Sequence, residues 1–181
     1  MAKIAVLVGS LQKNSVNKAL ASNLEKLAPE GTEFDYVDVG SLPLFNQDME
    51  SDFPAEAQAM KDKIEAADGV LLVTPEYNRT FSGVLKNAID WASRPWGQNS
   101  WAGKPVGIVG ATISPLGTGP AQAALRQVMV YLDARVMGQP ELYQVVGEGT
   151  FDENGDITGE ARQFAESYIS SLVSHVEAVA A

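Results

Sequence analysis

A chain of 181 residues, 45% hydrophobic and 20% charged, is large enough for one α/β core covered on both faces and is expected to form a single domain over residues 1–181. It contains no cysteine, which excludes disulfides, thiolate nucleophiles and thiolate-held clusters, so any redox chemistry must come from a bound cofactor. A net charge of -10 and a pI near 4.5 argue against nucleic acid and anionic membranes, and strand-sized apolar runs with no charged-then-apolar leader predict a cytoplasmic protein.

Strand and helix signals alternate along the chain. Lys3-Ile4-Ala5-Val6-Leu7-Val8 reads as a buried strand that empties into the polar loop Gly9-Ser10-Leu11-Gln12-Lys13-Asn14-Ser15-Val16-Asn17, and Leu20, Leu24 and Leu27 then recur at helical spacing. A second strand is predicted over residues 33–39, a Pro-containing loop through Leu42-Pro43-Leu44-Phe45-Asn46-Gln47-Asp48, and a helix over about residues 54–67. The apolar run Gly69-Val70-Leu71-Leu72-Val73 breaks at Thr74-Pro75 into Glu76-Tyr77-Asn78-Arg79, after which Ser82 can cap a helix bearing Val84, Leu85, Ala88 and Trp91. An irregular Trp-rich segment, residues 94–103, precedes a fourth strand at 105–111. Its loop, Thr112-Ile113-Ser114-Pro115-Leu116-Gly117-Thr118-Gly119, leads into a helix over residues 120–131. The fifth strand is broken, 135–137 and 142–146 flanking Gly138 and Pro140, and Phe164, Tyr168, Leu172 and Val176 mark one face of a last helix.

This rhythm predicts a flavodoxin-like three-layer α/β sandwich with a five-stranded parallel sheet of order 2-1-3-4-5, whose switch point brings the loops after strands one and three together. The first loop suits one phosphate monoester. Ser10, Ser15 and Asn17 offer short donors, Gly9 allows close backbone approach, and the following helix aims its free N–H groups at the same point. The same residues also serve as ordinary helix caps, and the loop is neither a Walker A sequence nor a dinucleotide fingerprint. The second loop suits a flat heteroaromatic ring, with backbone of residues 76–79 at its polar edge and Pro75 and Tyr77 against its plane, or else forms only a turn.

Taken together, Gly9-Ser10-Leu11-x-Lys13-x-Ser15-x-Asn17, Leu42-Pro43-Leu44-Phe45-Asn46-Gln47-Asp48, Thr74-Pro75-Glu76-Tyr77-Asn78, Gly83-Val84-Leu85-Lys86-Asn87-Ala88-Ile89-Asp90-Trp91 and Leu125-Arg126-Gln127 closely resemble the NADPH-dependent FMN reductases, the group that contains bacterial quinone and chromate reductases. The resemblance implies non-covalent FMN, reduced by NADPH or NADH, with electrons passed in ping-pong order to quinones, chromate, azo compounds or free flavin. By position it implies that Ser10, Gln12, Ser15, Val16 and Asn17 hold the FMN phosphate and Pro75, Glu76, Tyr77 and Asn78 the isoalloxazine, with Ser114 and Gly117 at the other rim. It further implies a homodimer or homotetramer in which Asp48 and Arg126 contribute to an interface near the flavin. Arg79 is expected to meet the nucleotide's phosphates or a partner subunit's acid. Two departures stand out. Many relatives carry Arg where this chain has Gln12, and the loop of Ser114 to Gly119 has no charge where relatives often have Arg.

The flavin carries the chemistry in this reading, so no catalytic nucleophile or base is expected. His175, the lone histidine, is expected to be a surface or packing residue, and the scattered carboxylates Asp35, Asp38, Asp48, Glu76 and Asp90 predict no metal site. Trp91 is expected in the core, while Trp96 and Trp101 suit a pocket roof and interface packing equally. The alternative function is a flavodoxin-like electron carrier without NAD(P)H turnover. A phospho-receiver shares the fold but needs acidic residues where this chain has Thr74-Pro75 and Gly9-Ser10.

Overall fold

The computed structural model describes residues 1–180. In chain order the elements are β1 (Lys3–Val8), α1 (Val16–Leu27), β2 (Glu33–Val37), a 3-10 turn (Gln47–Ser51), α2 (Ala55–Ala66), β3 (Gly69–Val73), α3 (Gly83–Ala92), β4 (Pro105–Thr112), α4 (Gly119–Tyr131), β5 (Arg135–Val136), β6 (Leu142–Val145) and α5 (Gly159–Ala180). The sheet is parallel throughout in the order β2-β1-β3-β4-β5. β5 pairs with β4 at Pro105 and Val106, and β6 pairs with it again from Val109 to Thr112, so the two are halves of one broken fifth strand.

Because strand side chains alternate, β1, β3 and β4 send residues into two separate cores. Leu7, Leu72 and Ile108 pack with Trp91, Trp101 and Ile64 under α2, α3 and α4. Val6, Leu71 and Val109 pack with Leu20, Tyr168 and Leu172 under α1 and α5. Trp101 is fully buried and donates its indole N–H to the Ile89 carbonyl at 3.1 Å, which makes it a core residue, whereas Trp96 is 81% exposed. His175 packs on the sheet edge, a ring nitrogen 2.7 Å from the Arg135 carbonyl oxygen. No helix among the described residues is long and apolar enough to cross a membrane.

The irregular segment after α3 is held by Lys61, whose burial gave no sequence signal. Its ammonium donates to the carbonyls of Ala92 (3.2 Å) and Gln98 (2.7 Å) and to Ser100 Oγ (2.6 Å), and the Ser100 hydroxyl donates to Glu65. Burial pushes the Lys61 pKa down, against the opposing pull of Glu65. Lys61→Met removes three hydrogen bonds that hold the segment, although the Ala92 carbonyl keeps the Ser100 N–H, so it is expected to lower stability by about 2 kcal/mol, or roughly 4–8 °C in Tm. Calorimetry checks this, and an unchanged melting point would mean that the segment does not depend on the lysine.

Candidate functional site

The C-terminal ends of β1, β3 and β4 converge on a cleft of about 290 Å³, walled by Ser10 and Ser15 on one side, Pro75 and Tyr77 on another, and Thr112 and Ile113 on the third. Close convergence requires Gly110, because a Cβ there would overlap the Thr74 carbonyl oxygen and Thr118 Oγ1. Gly9 is required by packing as well. A Cβ at this position would lie 2.5 Å from Ser82 Oγ and 3.2 Å from Leu85 Cβ, so the glycine lets β1 pack against the start of α3.

At the α1 end the cleft is lined by hydrogen-bond donors. Among the described residues, none of the backbone N–H groups of residues 10–16 has a partner within the fold. Ser15 caps α1, its Oγ accepting from the N–H groups of Asn17 (3.2 Å) and Lys18 (3.3 Å), which leaves the hydroxyl proton free to donate outward. The first turn of α1 contains no acidic residue, so nothing offsets the positive end of its dipole. Gln12 lines the cleft and, like Lys13, is exposed. Asn17 lines it too, but its carboxamide is committed elsewhere, Nδ2 donating to the Ala111 carbonyl and Oδ1 accepting the Ala111 N–H, both at 2.9 Å. Asn17 therefore fastens the loop, where a donor to the ligand was expected.

The opposite wall is a tight turn. Tyr77 and Thr80 exchange backbone hydrogen bonds of 2.9 and 3.1 Å, and the two residues between them, Asn78 (φ 51°) and Arg79 (φ 68°), both lie in the left-handed region. Asn tolerates that conformation, but Arg holds it at a cost of about 1–2 kcal/mol, the kind of local strain that clusters at ligand sites. Pro75 is buried and Tyr77 is 50% exposed, so an apolar surface faces the opening. The Glu76 carboxylate turns to α4, accepting the Ala121 N–H at 3.3 Å, and pairs with Arg79 at 3.2 Å. Only its backbone remains for a ring edge.

The remaining expected residues lie outside the cleft lining. Asn78 is exposed in the turn, and Ser114 is 3.0 Å from Gly117 through a backbone bond that closes the next loop. Asp48 is exposed in the 3-10 turn, its N–H capped by Asn46 Oδ1. Arg126 is half-buried and braces the broken fifth strand of its own chain, donating to the Met137 carbonyl at 2.7 Å and lying 3.5 Å from Glu141. Ala111, Thr112 and Ile113 do line the cleft. None of the three was an expected site residue, although their place at the C-terminal end of a parallel strand is itself a signal. No group of three or more His, Asp or Glu side chains suited to a metal ion occurs among the described residues.

Comparison with known proteins yields the same fold and sequence pattern. A family model described as NADPH-dependent FMN reductase matches residues 2–146. The chain is 51% identical over 175 residues to a 2-hydroxy-1,4-benzoquinone reductase of a Burkholderia species, covering 96% of both chains. It is 41% identical to a quinone reductase of Pseudomonas putida, covering 96% of this chain and 94% of that one. Among solved structures, the flavoenzyme NAD(P)H:(acceptor) oxidoreductase FerB of Paracoccus denitrificans superposes with a TM-score of 0.94 at 39% identity, with 98% of each chain covered.

Proposed function

This chain belongs to the NADPH-dependent FMN reductase family, and we propose that it binds FMN in the cleft and carries electrons from NADPH or NADH to quinones and similar small acceptors. The observation that carries the reading is one cleft joining two chemistries: the unpartnered N–H groups of residues 10–16 at one end and the apolar Pro75–Tyr77 turn at the other. A phosphate monoester attached to a flat ring fits both. When bound, FMN supplies a two-electron acceptor for hydride that can pass the pair on.

The protein's part is binding and orientation. Ser10, Ser15 and the α1 N–H groups hold the phosphate, with Gln12 and Val16 beside them. Pro75 and Tyr77, with backbone of Glu76, support the ring, and Ile113 closes the third side. Asn78, Ser114 and Gly117 shape the two loops from behind. Arg79, at the exposed edge of the turn, offers the nucleotide's phosphates a cation once it swings from Glu76. No side chain is needed as a proton donor for hydride transfer.

The quinone acceptors, the homodimeric or homotetrameric state and a cytoplasmic location are parts of the same proposal. Support for self-association is the exposed apolar surface of Trp96 (81%) and Tyr131 (82%) around the α3–α4 groove. The purified protein is expected to carry flavin absorbance that bleaches anaerobically on adding NADPH and returns on adding benzoquinone. Riboflavin, which has no phosphate, should bind at least about tenfold more weakly than FMN. Flavin that stays oxidised under excess NADPH and NADH would instead leave an electron carrier.

A further inference from the structure

We propose that Asn17 is a positioning residue for the cofactor, locking the phosphate-binding turn of α1 to β4 through its carboxamide without itself binding the phosphate. The argument starts from the sheet. β3 ends at Val73, and its last bond to β4 runs from the Thr74 N–H to the Val109 carbonyl at 2.8 Å. Residues two apart on a strand face the same neighbour, so the N–H and carbonyl of Ala111 also point toward β3. There β3 has already turned away at Pro75, so the Glu76 N–H that would come next on this edge makes no bond to Ala111.

Asn17 fills the missing position. Its carboxamide carries the same donor and acceptor as a peptide group, and it satisfies both Ala111 groups at 2.9 Å while only 2% exposed. An unpaired N–H and carbonyl would otherwise remain buried at this point. The bond spans the cleft's first and third walls. It fixes the N–H groups that face the phosphate at a set distance from Thr112 and Ile113, which face the other end of the ligand.

A second buried asparagine on the same helix supplies the control. Asn23, 3% exposed, donates to the Gly155 carbonyl at 2.9 Å and accepts the Ile157 N–H at 2.8 Å, away from the cleft. Asn17→Ala and Asn23→Ala thus each remove a buried two-way clasp from α1, but only the first touches the ligand site.

The inference rests on FMN occupying the cleft, and the test separates the two questions. FMN and riboflavin are titrated into wild type and both variants, and hydrogen exchange of the Ala111 amide is followed with and without FMN. Asn17→Ala is expected to weaken FMN about tenfold or more and riboflavin much less, while Asn23→Ala leaves their ratio unchanged. In wild type the Ala111 amide should stay protected when FMN binds. The proposal is overturned if Asn17→Ala weakens both flavins by the same factor. It is also overturned if FMN deprotects the Ala111 amide in wild type, since the carboxamide would then have left β4 for the phosphate; this arm needs no variant to fold. Wild type that binds no FMN would overturn the cofactor reading itself.

Discussion

Ser15→Asp is expected to give a folded protein that no longer retains FMN. Aspartate is as good an N-cap as serine and can accept the same N–H groups of Asn17 and Lys18, so α1 keeps its start and gains a favourable charge at the positive end of its dipole. The melting point of the apo-protein should therefore match or exceed that of wild type. The phosphate sees the opposite effect. A carboxylate about 4 Å from it opposes each unit of its charge by about 4 kcal/mol at the effective dielectric of a protein surface, which corresponds to roughly a thousandfold loss of affinity for each unit of charge. Riboflavin has no phosphate and should bind the variant within about threefold of wild type. Fluorescence titration with both flavins separates these effects. FMN retained at wild-type affinity would place its phosphate somewhere other than the α1 terminus.

The same residue shows how far the sequence could be read. Ser15 is visible as both cap and donor because a cap is a local event, decided within three residues of chain. The order of the sheet was legible for a related reason: each strand is an unbroken apolar run and each crossover a helix, which leaves few topologies open. Even the break in the fifth strand was marked, by Gly138 and Pro140. What stayed hidden depends on partners far away in the chain. Asn17 meets Ala111 across 94 residues, and Glu76 meets the α4 N-terminus across 45. Asn17 is a polar residue in a motif suited to a ligand, so proximity in sequence suggested direct binding, whereas Glu76 was expected to offer only its backbone. The fold uses both side chains to hold the walls together. Gly9 follows the same logic, since it makes room for α3. Lys61 was invisible because nothing in Met60-Lys61-Asp62 distinguishes a buried lysine from a solvated one.

Arg79→Gly is expected to raise the KM for NADPH and NADH about tenfold to a hundredfold while leaving the protein as stable as before. Loss of a charge-assisted bond to phosphate accounts for about 1.5–3 kcal/mol of nucleotide binding. Stability responds differently. Arg79 sits at φ 68°, a conformation glycine adopts without penalty, and the relief offsets glycine's greater flexibility in the unfolded chain. The ion pair with Glu76 contributes little, since the Arg79 side chain is 67% exposed and the carboxylate keeps its bond to Ala121. Arg79→Ala removes the same guanidinium but keeps a Cβ in the left-handed region, so it should raise KM equally and melt a few degrees lower. The KM for benzoquinone, which carries no phosphate, should move by less than about twofold in both variants. Steady-state kinetics with each substrate, read beside the two melting curves, test the whole assignment. Should both KM values rise together and the oligomer mass fall on sizing, Arg79 would belong to a subunit interface, and the strain at its turn would serve assembly instead of the nucleotide.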